Sequence, residues 1–242
     1  MSSIEPGTLV LADMGYFGFK WFDDMTDGGY WWISRLRART SYEVIHTYYQ
    51  DGDTFDGLVW LGAYRADRAA HAVRLVTFRR GRTVHRYITN VLDFDTLTME
   101  EIAALYARRW DFELAVKTVK RHLKLHLLWS SKTTVILQQV WAVLIIAQVL
   151  QALQLEIAGK AGVDPYDVSL ALLVEYAPRW AYAGKDPVEL IVEHGHKAGF
   201  IRPSSRIRIR APVINPEELV ALPENMILIR KPRYAQRKCH KR

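Results

Sequence analysis

Thr8-Leu-Val-Leu-Ala-Asp-Met-Gly15 is the stretch that sets the fold class. Thr8 to Ala12 is a short apolar run that reads as a buried strand, and it stops at Asp13, so the strand delivers an aspartate at its carboxyl end before Gly15 turns the chain. Working outward, Tyr16 to Met25 carries Tyr16, Phe19 and Phe22 at helical spacing. Asp27-Gly28-Gly29 then stops that helix ahead of a second strand over Tyr30 to Leu36. Strand, helix, strand is the repeating unit of an α/β fold.

The next segment changes character. Tyr42 to Tyr49, Leu58 to Ala63, Ala72 to Phe78 and Thr83 to Thr89 are short β-prone runs. They are divided by the turn signals Asp51-Gly52-Asp53, Asp56-Gly57 and Arg80-Gly81-Arg82, so an antiparallel β insert is expected over about 42–90. Thr98-Met-Glu-Glu101 fits a capping box, in which Thr98 caps backbone amides and Glu101 reaches back. It opens a long helix with apolar positions Ile102, Leu105, Phe112, Val116, Val119 and Leu123. A second helix, Thr133 to Ala158, carries little charge and is expected in the core, ended by Gly159 and Gly162. Another follows near Ser169 to Tyr176. Beyond Pro178 the chain is rich in Pro and Arg, which predicts a loosely structured basic segment. The expected division is therefore residues 1–177 and 178–242.

Composition narrows the function classes. The chain has 242 residues, half of them hydrophobic and 24% charged, within the globular range. A single cysteine, Cys239, cannot form an internal disulfide, so a cytoplasmic setting is expected. Val140 to Ala147 is broken by Gln138, Gln139 and Gln148, well short of the roughly 20 apolar residues that span a bilayer, and no signal peptide is read at Met1 to Pro6. Net charge is +7, and Arg202 to Arg242 holds eleven Lys and Arg against three acids. A polyanion is the natural partner of such a tail, and a solvated tail is the alternative.

The chemistry-bearing pattern lies on the long helix. Tyr106, Arg109, Glu113 and Lys120 follow Y-x2-R-x3-E-x6-K. At roughly 100° per residue they fall within about 60° of one another around a helix axis. One face then presents a carboxylate, a donor set for a divalent cation, between cations that clamp phosphate oxygens. A solvated face with an Arg109–Glu113 ion pair is the plainer reading of the same spacing. His122 and His126, also i,i+4, lack a nearby third ligand in the sequence and are not read as a metal site.

Tyr106-Ala-Arg-Arg109-Trp-Asp-Phe-Glu113, continuing to Lys120, resembles the Tyr-Arg-Glu-Lys signature of bacterial insertion-sequence transposases of the DDE class, insertion-sequence-four type. The block ending in Asp13-Met-Gly15-Tyr16-Phe17 resembles the second catalytic aspartate block of that family, and Ile88-Thr-Asn-Val-Leu resembles the strand leading into the signature helix. The resemblance covers about Thr8 to Leu155. It implies a ribonuclease H-like core, here partial, in which three carboxylates hold two Mg²⁺ ions, with Mn²⁺ as a substitute, for cutting and joining DNA at transposon ends. Asp13 is expected as the second carboxylate and Glu113 as the third, both metal ligands. Tyr106, Arg109 and Lys120 are expected to grip DNA phosphates. Trp60 is a candidate contact to a displaced base, with a core role as the alternative.

The first aspartate of the family pattern has no counterpart among the twelve residues before Asp13, where Glu5, beside Pro6, is a poor substitute. The chain alone is therefore expected to be inactive, with double-stranded DNA as its partner and a homo-oligomer or an intact transposase completing it. A non-catalytic DNA-binding remnant is the alternative function.

Overall fold

The computed structural model describes residues 4–63, 67–204 and 209–234, in two compact units: 1–109 with 208–242, and 110–207. The cations Arg206, Arg208, Arg237, Lys238, Lys241 and Arg242 of the basic tail, and Cys239, lie outside the described residues.

The first unit is a six-stranded mixed sheet, so the α/β class holds. Strands β1 (Leu9–Ala12) and β2 (Trp31–Arg35) run parallel, with Ala12 opposite Ser34, and helix α1 (Phe19–Asp27) connects them. Asp27-Gly28-Gly29 ends α1 as expected, Gly28 capping and Gly29 taking a φ of 74° that side chains resist. Strands β3 (Tyr42–Asp51), β4 (Thr54–Leu61), β5 (Val73–Arg80) and β6 (Thr83–Thr89) are antiparallel neighbours. They form no separate insert. The order is β1-β2-β6-β5-β4-β3, with β6 hydrogen-bonded directly to β2, so all six strands share one sheet.

Both faces of the sheet are covered, which is why its central strands read as near-continuous apolar runs. On one side Phe17, Phe19, Phe22 and Met25 pack over Trp32, Leu36, Leu61, Leu75 and Ile88. On the other, α2 (Met99–Ala107) lays Met99, Ile102, Ala103 and Tyr106 over Ile33, Val76, Phe78 and Tyr87, joined by Ala211. The capping box is present in full: the Thr98 hydroxyl accepts from the Glu101 amide, and the Glu101 carboxylate accepts from the Thr98 amide at 2.8 Å.

Three expectations change. Asp56-Gly57 is not a turn but the middle of β4. There Asp56 meets Arg74 of β5 in a bidentate ion pair, and each side chain is only 1% exposed. A Cβ on Gly57 would lie 2.4 Å from the His46 carbonyl, so the glycine admits a close approach of β3 beside its bulge. Second, the signature helix is not continuous. It stops at Arg108, whose amide bonds back three residues to Leu105, and α3 (Arg109–Lys117) begins anew. A π-helical turn, Thr118–His122, follows.

The third change concerns α4 (Thr133–Ala161), the longest helix of the second, helical unit. It was expected in the core, yet Leu137, Trp141, Leu144, Ile145, Ile146 and Val149 are exposed. By length and composition α4 is apolar enough to cross a membrane. Only Gln139, Val143, Leu150, Ile157 and Ala158 are buried on it. Its inward residues Leu150, Ile157 and Ala158 join Leu173 and Ala177 of α5 (Leu170–Tyr182), and Val188 and Ile191 of α6 (Pro187–His194), in one cluster. Pro178 does not end α5, and α6 gives regular structure to a stretch read as loose.

After the second unit the chain returns to the sheet. Arg230 donates to the carbonyls of Leu61 and Ala69, and the Tyr234 hydroxyl donates to Asp23 at 2.7 Å. Asp23 also accepts from the amides of Ala70 and His71, so this buried carboxylate organises the β4–β5 connection.

Candidate active site

Asp13 stands where β1 ends, at the N-terminal cap of a short 3-10 turn, Met14–Tyr16. The apolar residues of β1 fix its backbone in the sheet, and its side chain, 54% exposed, faces solvent. The Arg109 guanidinium, only 16% exposed, lies 3.6 Å from the Asp13 carboxylate. The structure thus brings Arg109 to Asp13, a partner distant in the chain that the sequence reading did not offer.

Tyr106 is buried beneath this pair. Its hydroxyl donates to the Ala12 carbonyl at 3.4 Å, its ring lies 5.0 Å from that of Tyr87, and Arg109 sits 5.8 Å over its face. Burial raises the Tyr106 phenol above its ordinary pKa, opposed by the Arg109 charge, so it stays protonated as a donor. Tyr106 thereby links α2 to the strand end that carries Asp13.

Glu113 and Lys120 belong to the second unit. Glu113 is exposed on α3, where the neighbouring Asp111 accepts a 2.6 Å hydrogen bond from the Tyr166 hydroxyl. Lys120 is exposed in the π-helical turn, which widens where the Leu123 amide bonds five residues back to Thr118. Thr118 itself donates to the Leu114 carbonyl. His126 Nδ1 meets the Lys120 carbonyl at 2.6 Å, while burial, with Lys117 and Arg121, lowers the His122 pKa. Tyr106, Arg109, Glu113 and Lys120 are therefore distributed over α2, α3 and a π turn rather than one regular α-helical face.

Carboxylate oxygens are the donors that Mg²⁺ prefers, and exposed Asp13 and Glu113 are chemically suited to that role. Among the described residues, no group of three or more His, Cys, Asp or Glu side chains is assembled as a metal site. Trp60 is buried with the Arg230 guanidinium 4.6 Å over its ring, which is the core role. Sequence reasoning missed the Asp56–Arg74 pair. The signal that could have found it was Arg74, the one charged residue in the apolar run Ala72 to Phe78.

The family model described as Transposase DDE domain matches residues 1–150. The protein y4zB of Sinorhizobium fredii, designated a transposase, is 24% identical over 159 residues, covering 59% of this chain and 42% of that protein. The transposase for insertion sequence element IS231F of Bacillus thuringiensis is 24% identical over 175 residues, covering 50% of this chain and 36% of that protein. The chain thus spans less than half the length of these curated relatives. No solved structure matches it.

Proposed function

Because this chain belongs to the transposases with a DDE domain, matched over residues 1–150, we propose that it serves DNA transposition as a catalytic segment of the insertion-sequence-four type. The observation that carries this reading is that the matched region holds Asp13, Tyr106, Arg109, Glu113 and Lys120 together. We propose a ribonuclease H-like core, with Asp13 and Glu113 as two of its three carboxylates. A divalent cation, Mg²⁺ or Mn²⁺, would activate an attacking water or 3′ hydroxyl and stabilise the leaving oxygen of a phosphodiester.

The chain's own residues supply the rest. Arg109, held beside Asp13, would lend its guanidinium to a phosphate oxygen of the bound DNA. Lys120 offers a second phosphate contact. Tyr106 acts by fixing the strand end under Asp13 and the plane of Arg109. The partner in this reading is the double-stranded DNA of transposon ends in the cytoplasm, engaged by an oligomer. Two carboxylates are one short of the set, so the 242-residue chain by itself is proposed to hold DNA without cutting it.

Binding to duplex DNA across a salt series tests the reading. Arg109→Ala and Lys120→Ala should each weaken binding and reduce the slope of log K against log salt by about 1. Cleavage that Glu113→Gln leaves intact would overturn the carboxylate assignment.

A further inference from the structure

At the end of the sheet where β1 and β2 finish, β5 also finishes and β6 begins. Arg35 is the last residue of β2 and pairs with Tyr87 of β6; its predecessor Ser34 pairs with Ala12, so Arg35 stands one strand over from Asp13. Arg80 ends β5, two residues beyond Phe78, which pairs with His85. Side chains alternate along a strand and paired residues share a face, so Arg35, His85 and Arg80 all lie on the face that carries Tyr87 and Tyr106. Arg82 extends the row into the β5–β6 turn, and Arg37 reaches the Met14 carbonyl just past Asp13.

The charges in this row are concentrated. After burial, Arg35 and Arg80 are the causes that lower the His85 pKa, so two guanidinium groups act on one ring from the strands on either side. Among the described residues, no carboxylate pairs with Arg35, Arg80 or Arg82. By contrast Arg79, which alternation places on the opposite face, is held by Asp53. The β6 partners of Arg35 and Arg80, Tyr87 and Thr83, lie four residues apart, so the row advances about 14 Å along the strand as it crosses the sheet. A row of that length can lie along several successive phosphates of one DNA strand.

We propose that Arg35, Arg80 and Arg82 bind the phosphate backbone of duplex DNA leading away from Asp13, a contact set outside the Tyr-Arg-Glu-Lys pattern. The inference rests on the transposase reading and adds a track for the DNA to it. Contacts of this kind position the duplex without reading its sequence, so they serve any flanking DNA.

The test is fluorescence anisotropy of labelled duplex DNA with the full chain between 50 and 200 mM salt. The triple variant Arg35→Gln, Arg80→Gln, Arg82→Gln should bind at least about tenfold more weakly, its salt slope lower by about 2.7, or roughly 0.9 per lost contact. Arg79→Gln, in the same hairpin, should keep the wild-type slope. A triple variant with the wild-type slope overturns the track and leaves the DNA-binding reading standing. A wild-type chain that binds no DNA overturns both. If the triple variant does not fold, His85 in the wild-type chain reports instead: added duplex should raise its pKa as phosphates neutralise the two arginines. An unchanged His85 titration with DNA bound overturns the track.

Discussion

Arg74 is the most heavily engaged cation in the sheet. Its Nε and Nη2 bind the two Asp56 oxygens at 2.7 and 2.6 Å, and its Nη1 donates to the carbonyls of Asp93 and Leu97. With both partners shielded from water, each charge depends on the other for compensation. Asp56→Ala should therefore cost about 3 to 5 kcal/mol, because it leaves a buried guanidinium without its counter-charge. The double variant Asp56→Leu, Arg74→Met should cost less than the single one. Urea unfolding of the three proteins decides this, and a single variant no worse than the double would refute it. Asp13 is the opposite case: a carboxylate left half in solvent, opposed by one guanidinium, keeps its oxygens available to a ligand.

Among the elements, α2 owes its start to local chemistry. Thr98→Ala removes the acceptor of the Glu101 amide and the first half of the capping box, and should lower stability by about 1 kcal/mol, within a range of roughly 0.5 to 2. Thermal unfolding measures it, and no change in the midpoint would show the cap to be inert. Features of this local kind were legible in the sequence. β1, α1, β2, the turns at Asp51-Gly52-Asp53 and Arg80-Gly81-Arg82, and the Thr98 cap all announce themselves within a few residues. What the sequence concealed depends on distant partners. Asp56-Gly57 looks like a turn until Arg74 is placed beside it, and Arg109 finds Asp13 across the fold, a partner that no local spacing announces. No Gly or Pro marks the break at Arg108. The apolar run of α4 records what its side chains prefer, not what covers them, and Trp141 and Ile145 face outward. Of the candidate site, the residue types and their order were readable, while their division between two units was not.

At the scale of the whole molecule, the chain leaves the sheet at Arg109 and comes back to it with residues 209–234. The returning stretch places Ala211 in the core beneath α2, binds Arg230 to two sheet carbonyls, and ties Tyr234 to Asp23. Removing residues 209–242 should therefore destabilise the sheet unit by several kcal/mol, since hydrogen bonds to charged groups contribute about 1.5 to 3 kcal/mol each. Hydrogen exchange of β4 and β5 amides reads the loss locally; unchanged protection would show the returning stretch to be a passenger. The same arrangement sets a schedule during synthesis. A ribosome adding about 5 to 20 residues per second needs on the order of 5 to 20 seconds to pass from Arg109 to Arg208. Throughout that interval both faces of the nascent sheet lack part of their final covering, while the contiguous helical unit emerges whole. The protein's period of greatest exposure to aggregation and to chaperones is thus written into the order in which its pieces leave the ribosome.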